Sequence, residues 1–126
     1  MRAIDTNVLI RIVTQDDEQQ AAAAENFIRH GAWVSTMVLA EAVWVLTNDY
    51  RRSSAQIALA VERLLSHRSL ILENAVAVME AVRLFRAHPA LGFADCLILE
   101  LARRAGHLPL GTFDRRLAKT DGAQRI

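Results

Sequence analysis

Short apolar runs alternate along this chain with longer amphipathic stretches, and that alternation predicts an α/β fold. Ala3-Ile4 is a brief apolar stretch closed by Asp5, after which Asn7 to Val13 reads as a helix. Asp16-Asp17-Glu18 supplies an acidic start to a second, Ala-rich helix ending near His30-Gly31, where glycine suits the position just past a helix end. Ala32 to Ser35 predicts a second strand. Thr36 to Asp49 is a helix apolar on nearly every face, and Ser53-Ser54 offers an N-cap for the amphipathic stretch Ala55 to Leu65; together they predict a helical hairpin. Leu70 to Leu72 is a third strand, Asn74 caps a helix reaching about Ala87, His88-Pro89 breaks it, and Gly92 opens a helix running to Arg104. Gly106 closes that helix, Leu108 to Gly111 gives a fourth strand, and a short helix at Arg115 to Lys119 precedes a fifth strand at Gln124 to Ile126. Strands this short and apolar, separated by helices, argue for a mainly parallel central sheet with helices on both faces, a three-layer α/β/α arrangement.

With 126 residues the chain is read as a single domain spanning 1–126, long enough to bury about two-thirds of its unfolded surface. Hydrophobic residues make up 52% and aromatics only 6%, so Ala, Val, Leu and Ile must build the core, with apolar surface left over for pairing. The net charge of +1 is near neutral, and a nucleic-acid partner must therefore be argued from local clusters. Among the 15 Lys and Arg residues only Lys119 is not Arg. Paired arginines recur at Arg51-Arg52, Arg103-Arg104 and Arg115-Arg116; the first two pairs fit helix ends, and the third, beside Asp114, is the better candidate for contact with phosphate. The single cysteine, Cys96, has apolar neighbours that suit a small buried residue. Neither a basic leader followed by an apolar segment nor a membrane-length apolar run is present, which points to a cytoplasmic protein. His30, His67, His88 and His107 are scattered without zinc-ligand spacing and read as surface or loop residues.

Candidate chemistry therefore rests on four acids. Asp5 lies where a strand hands over to a helix, Asp95 in the first turn of the Gly92 helix, and Asp114 where Leu110-Gly111-Thr112-Phe113 ends in a turn. Glu41 is the only charge between Thr36 and Leu46, and the apolar helix around it predicts a largely buried carboxylate, which is costly unless a cation or hydrogen-bond donors meet it. In an α/β fold, strand ends and the helix N-termini that follow are delivered to one edge of the sheet, so acids far apart in sequence can meet. Carboxylates so gathered repel one another unless cations neutralise them, and oxygen donors without His or Cys favour Mg²⁺ or Mn²⁺. Taken singly, Asp5 fits a helix N-cap equally well, Asp95 can complement a helix dipole, and Asp114 can cap a last short helix. As a set of four, they point to a metal site.

Four motifs in order, Ile4-Asp5-Thr6-Asn7-Val8-Leu9, Leu39-Ala40-Glu41, Phe93-Ala94-Asp95 and Thr112-Phe113-Asp114, make this sequence resemble PIN-domain ribonucleases of the VapC toxin type over essentially its whole length. The resemblance implies a PIN-like fold in which Asp5, Glu41, Asp95 and Asp114 bind one or two Mg²⁺ or Mn²⁺ ions, with Asn7 and Thr112 supporting them through hydrogen bonds. It implies an endoribonuclease that cuts RNA phosphodiesters and leaves a 5′ phosphate, acting as the toxin of a type II toxin–antitoxin pair. Implied partners are an RNA substrate, a cognate antitoxin protein and a second copy in a homodimer. Arg115 and Arg116 are candidates for substrate-phosphate contacts by adjacency to Asp114. The apolar hairpin from Val38 to Leu65, with Trp44 and Val45, suits either an antitoxin groove or simple core.

Two other classes compete. A phospho-accepting receiver domain has similar length and alternation, but Asp5 stands alone after the first strand, the third strand runs into Glu73-Asn74, and Lys119 lies in a terminal helix. A catalytically silent PIN-like binding module is the other alternative, and the presence of all four acids argues against it.

Overall fold

A computed structural model describes residues 1–126, which divide into two compact units, Met1–Ala75 and Val76–Ile126. In the first, strands β1 (Arg2–Ala3), β2 (Ala32–Val34) and β3 (Leu70–Leu72) form a parallel sheet in that order. Parallel neighbours need a crossover between them. Helices α1 (Thr6–Thr14) and α2 (Glu18–Ile28) make the first crossover, and α3 (Thr36–Asn48) and α4 (Ser54–Ser66) the second. The register aligns Ala3 with Trp33, and Ala32, Trp33 and Val34 with Leu70, Ile71 and Leu72. Because successive strand residues face opposite ways, Ala32, Val34, Leu70 and Leu72 are buried while the paired Trp33 and Ile71 are exposed. The buried strand residues join Leu9, Ile28, Leu39 and Val61 in the interior of this unit.

The second unit holds α5 (Ala75–Ala87, its first residue shared with the first unit), α6 (Phe93–Ala105), and strands β4 (Leu110–Thr112) and β5 (Ala123–Arg125). These two strands pair in parallel, Leu110 with Ala123 and Thr112 with Arg125. Val78, Ala81, Cys96 and Leu99 are fully buried, and the rings of Phe85 and Phe93 meet edge to face at 6.0 Å. Every strand pairing in the chain is parallel, so this is an α/β fold with a three-stranded parallel sheet flanked by helices. No helix is long and apolar enough to cross a membrane.

Local chemistry explains most element boundaries. Ser53 and Gln56 form a capping box at the start of α4, and the Ser35 hydroxyl accepts from the Val38 N–H to start α3. Gly106, at φ +82, ends α6 in the left-handed conformation that glycine adopts without strain. Two expectations change. The helix anticipated at Arg115 to Lys119 is a single 3₁₀ turn at Leu117–Lys119, because Thr120 is already extended to carry the chain into β5. Asn74 sits at φ +55, and its side-chain amide donates to Thr36 Oγ1 at 3.2 Å, tying the start of α5 to that of α3.

Candidate functional site

Asp5 and Asp114 both accept backbone N–H groups from the residues that follow them. Asp5 precedes α1, where its Oδ1 accepts the Val8 N–H at 3.1 Å as the N-cap. Asp114 Oδ1 accepts the N–H groups of Arg116 and Leu117, both at 2.8 Å, while its own N–H donates to Thr112 Oγ1 at 3.0 Å. Asp5 realises the capping reading, whereas Asp114 closes the turn ahead of Leu117–Lys119, whose N-cap position is Arg116; in both the second carboxylate oxygen makes no hydrogen bond to protein. The backbone N–H groups therefore orient each carboxylate and leave one oxygen available. Thr112, expected as a support, accepts the Asp114 N–H and so fixes the turn that carries that residue. Asn7 is exposed in the first turn of α1, and its side chain makes no hydrogen bond.

Within the second unit the fold brings Asp95 and Asp114 together. Asp95 is half-buried in the first turn of α6, and burial first, then the negative charge of Asp114, raise its carboxyl above the ordinary value of 3.8. No cation pairs with either carboxylate. The same surroundings act on the neighbouring Cys96, whose thiol is pushed up to about 11 by burial first and then by Asp95 and Glu100. It is an inert core residue, as its neighbours in sequence suggested.

Glu41 overturns its expectation, being exposed rather than buried. Helix α3 buries the stripe Leu39, Ala42, Val43 and Leu46, and turns Met37, Glu41 and Trp44 to solvent. Met37 is 80% and Trp44 60% exposed, so apolar residues occupy both stripes and the sequence alone does not reveal which one faces inward. The cost of a buried charge accordingly does not apply to Glu41. What remains is an acid without an ion pair, set among exposed apolar side chains. Trp44 likewise belongs to the surface rather than the core.

A cleft of about 390 Å³ opens beside Asp5, lined by Asn7, Val8 and Arg11 of α1 and by Gln20, Ala23, Ala24 and Phe27 of α2. The sequence reading passed over Gln20 and Phe27, because positions 20, 23, 24 and 27 follow the ordinary spacing of a core-facing helical stripe. Arg11 is already engaged: Nε donates to Gln20 Oε1 at 2.6 Å, and Nη1 to Asp16 Oδ1 and Tyr50 Oη, each at 3.2 Å. A larger hollow of about 440 Å³, lined by Glu25, Arg52, Gln56, Arg63 and His67 together with apolar residues, contains none of the four acids.

Within each unit, no group of three or more Asp, Glu, His or Cys side chains is gathered closely enough to hold an ion. The donor chemistry nevertheless fits a hard divalent cation. All donors are carboxylate oxygens, and the like-charged Asp95 and Asp114 have no Lys or Arg to neutralise them. Arg115 and Arg116 are exposed, and neither guanidinium is committed to an ion pair.

Comparison with known proteins adds to this geometry. The PIN domain family matches residues 3–123. Two curated relatives, each named Ribonuclease VapC23, come from Mycobacterium tuberculosis strains CDC 1551 / Oshkosh and ATCC 25618 / H37Rv. Each is 33% identical over 121 residues, covering 91% of this chain and 94% of the relative.

Proposed function

This chain belongs to the PIN-domain family, and on that premise we propose that it is a Mg²⁺- or Mn²⁺-dependent endoribonuclease, the toxin of a type II toxin–antitoxin pair. The observation that carries the proposal is the similarity, over 91% of the chain, to relatives named as ribonucleases. It supports treating residues 1–126 as one functional domain, since the family match at 3–123 spans both compact units.

In this reading Asp5, Glu41, Asp95 and Asp114 hold one or two divalent ions. A bound ion of this kind activates water for in-line attack on a phosphodiester and stabilises the leaving 3′ oxygen. The protein's part is preorganisation. The Val8 N–H holds the Asp5 carboxylate, the Arg116 and Leu117 N–H groups hold that of Asp114, and Thr112 fixes the turn that presents it. Burial and the charge of Asp114 both disfavour an ionised Asp95, and a cation would relieve both. Asn7 lines the same cleft as Asp5 with its side-chain amide free to hydrogen-bond, and Arg115 and Arg116 offer guanidinium forks to substrate phosphates. The exposed Met37 and Trp44 on α3 provide apolar surface for an antitoxin or a second copy of the chain.

The test is cleavage of a mixed RNA pool by the purified protein with Mg²⁺, with EDTA, and with an identically prepared Asp5→Asn variant. Cutting by the wild type alone, and only with Mg²⁺, is the expected result. Equal cutting by Asp5→Asn would refute the assignment of the acids. No cutting of any RNA under any metal condition would favour a binding module instead.

A further inference from the structure

The cleft beside Asp5 has features that carboxylate chemistry does not require. Ala23 and Ala24 are among its lining residues, and their side chains stop at Cβ, so space remains where larger residues of α2 would have filled it. Phe27 lines it at 40% exposure, and the Arg2 guanidinium lies 4.6 Å from the Phe27 ring centroid, making a cation–π stack. Two side-chain amides complete the lining. Gln20 has its oxygen fixed by the Arg11 Nε–H, which leaves its NH₂ without a protein acceptor, and Asn7 has neither its oxygen nor its nitrogen engaged.

The charges in the cleft select among possible occupants. Without a bound cation Asp5 repels a phosphate, and the Arg11 guanidinium that would attract one is already paired with Asp16. A neutral, flat group with hydrogen-bonding edges meets neither obstacle. At about 390 Å³ the space lies near the lower end of the ~300–1,000 Å³ range for small-ligand sites, suited to a base with its sugar and too small for a duplex. Single-stranded RNA is read in this manner, by unstacked bases that lie on aromatic rings or guanidinium planes and hydrogen-bond along their edges.

Resting on the nuclease reading above, we infer that the α1–α2 cleft receives one nucleobase of a single-stranded RNA, stacked on Phe27 and read by the amides of Gln20 and Asn7. Its position beside Asp5 makes these three residues the determinants of base preference next to the cut. Asn7 thereby serves substrate selection as well as the carboxylates.

Two measurements on the full chain test this. In the first, AMP, CMP, GMP and UMP are titrated without metal while the Asn7 and Gln20 side-chain amide and Phe27 ring resonances are followed by NMR. One base should shift these resonances saturably and in preference to the other three, and Phe27→Leu should weaken that binding roughly tenfold, the scale of one lost base–aromatic stack. In the second, cleavage sites in a randomised RNA oligonucleotide pool are sequenced for wild type, Phe27→Leu and Gln20→Leu, each variant checked by thermal unfolding. Both variants should lose base preference at one position flanking the cut while still requiring the metal. Resonances unmoved by all four nucleotides, or variants that cut with the wild-type preference, would overturn the inference and leave the nuclease reading intact. Selective base binding by a protein that cuts no RNA would support the cleft and sink the nuclease. Saturation of the cleft by an apolar peptide to the exclusion of every nucleotide would assign it to a protein partner instead.

Discussion

At the residue scale, environment separates the four acids. Asp5 and Asp114 are steadied by backbone N–H groups, Glu41 is exposed, and burial with the nearby Asp114 charge holds the Asp95 carboxyl above its ordinary value. A carboxyl with a raised folded-state pKa binds its proton more tightly in the folded chain than in the unfolded one. Its ionisation therefore weakens the fold: stability is greatest below the unfolded value of 3.8 and falls as the pH rises through the raised folded value. In EDTA at pH 7, Asp95→Asn should accordingly unfold at a higher temperature than the wild type. The difference should close as the pH is lowered towards 3, which differential scanning calorimetry would read directly. The same variant should lose Mg²⁺-dependent cleavage, the pattern of a residue whose charge serves the ion at the expense of the fold.

Among the elements, much of the order comes from polar groups at helix ends. The capping box of Ser53 and Gln56 satisfies N–H groups that the first turn of α4 would otherwise leave unpaired. Ser53→Ala should lower stability by about 1 kcal/mol in urea unfolding, with no effect on cleavage if its role is confined to the cap. Where α1 ends and α2 begins, Asp16 accepts from Tyr50 Oη and Thr14 Oγ1, both at 2.7 Å, and from Arg11. The Tyr50 and Thr14 hydroxyls, in that order, are the main causes lowering the Asp16 carboxyl below 3.8. Stability from this group is thus present above the unfolded pKa and lost as the pH falls through the depressed folded value. Tyr50→Phe should raise the Asp16 pKa in an NMR titration and move the onset of acid unfolding to higher pH; an unchanged titration would mean that the hydroxyl contributes little. At the end of α6 the buried Glu100 meets Arg103, which also donates to the Asp121 carbonyl at 2.7 Å. Of the Arg103-Arg104 pair, read from sequence as helix-end chemistry, Arg103 makes the clamp and Arg104 is exposed in the last turn.

For the whole molecule the question is what a divalent ion does to the fold. An ion that binds only the folded chain stabilises it by mass action, by about 1.4 kcal/mol when its concentration is ten times its Kd. Mg²⁺ should therefore raise the melting temperature of the wild type in a saturable manner. Asp5→Asn and Asp114→Asn should each blunt that rise, whichever compact unit carries the substitution. A melting temperature indifferent to Mg²⁺ and Mn²⁺ would argue against the carboxylate centre even if RNA were bound.

The element order was legible in the sequence because the 3.6-residue and two-residue periods of apolar positions mark helices and strands locally, and because Ser53, Gly92 and Gly106 punctuate them. The candidate acids were legible for a related reason: Asp5, Asp95 and Asp114 occur where strands end and helices begin, positions that local chemistry defines. Only the tertiary structure decided which side of α3 faces solvent, for its two apolar stripes are equivalent as a pattern, and Glu41 went with the exposed one. It also decided that Asp114 bears on Asp95 and that Gln20 and Phe27 line a cleft instead of the core. Periodicity determines which residues share a face, whereas what that face meets is set by packing between segments distant in sequence.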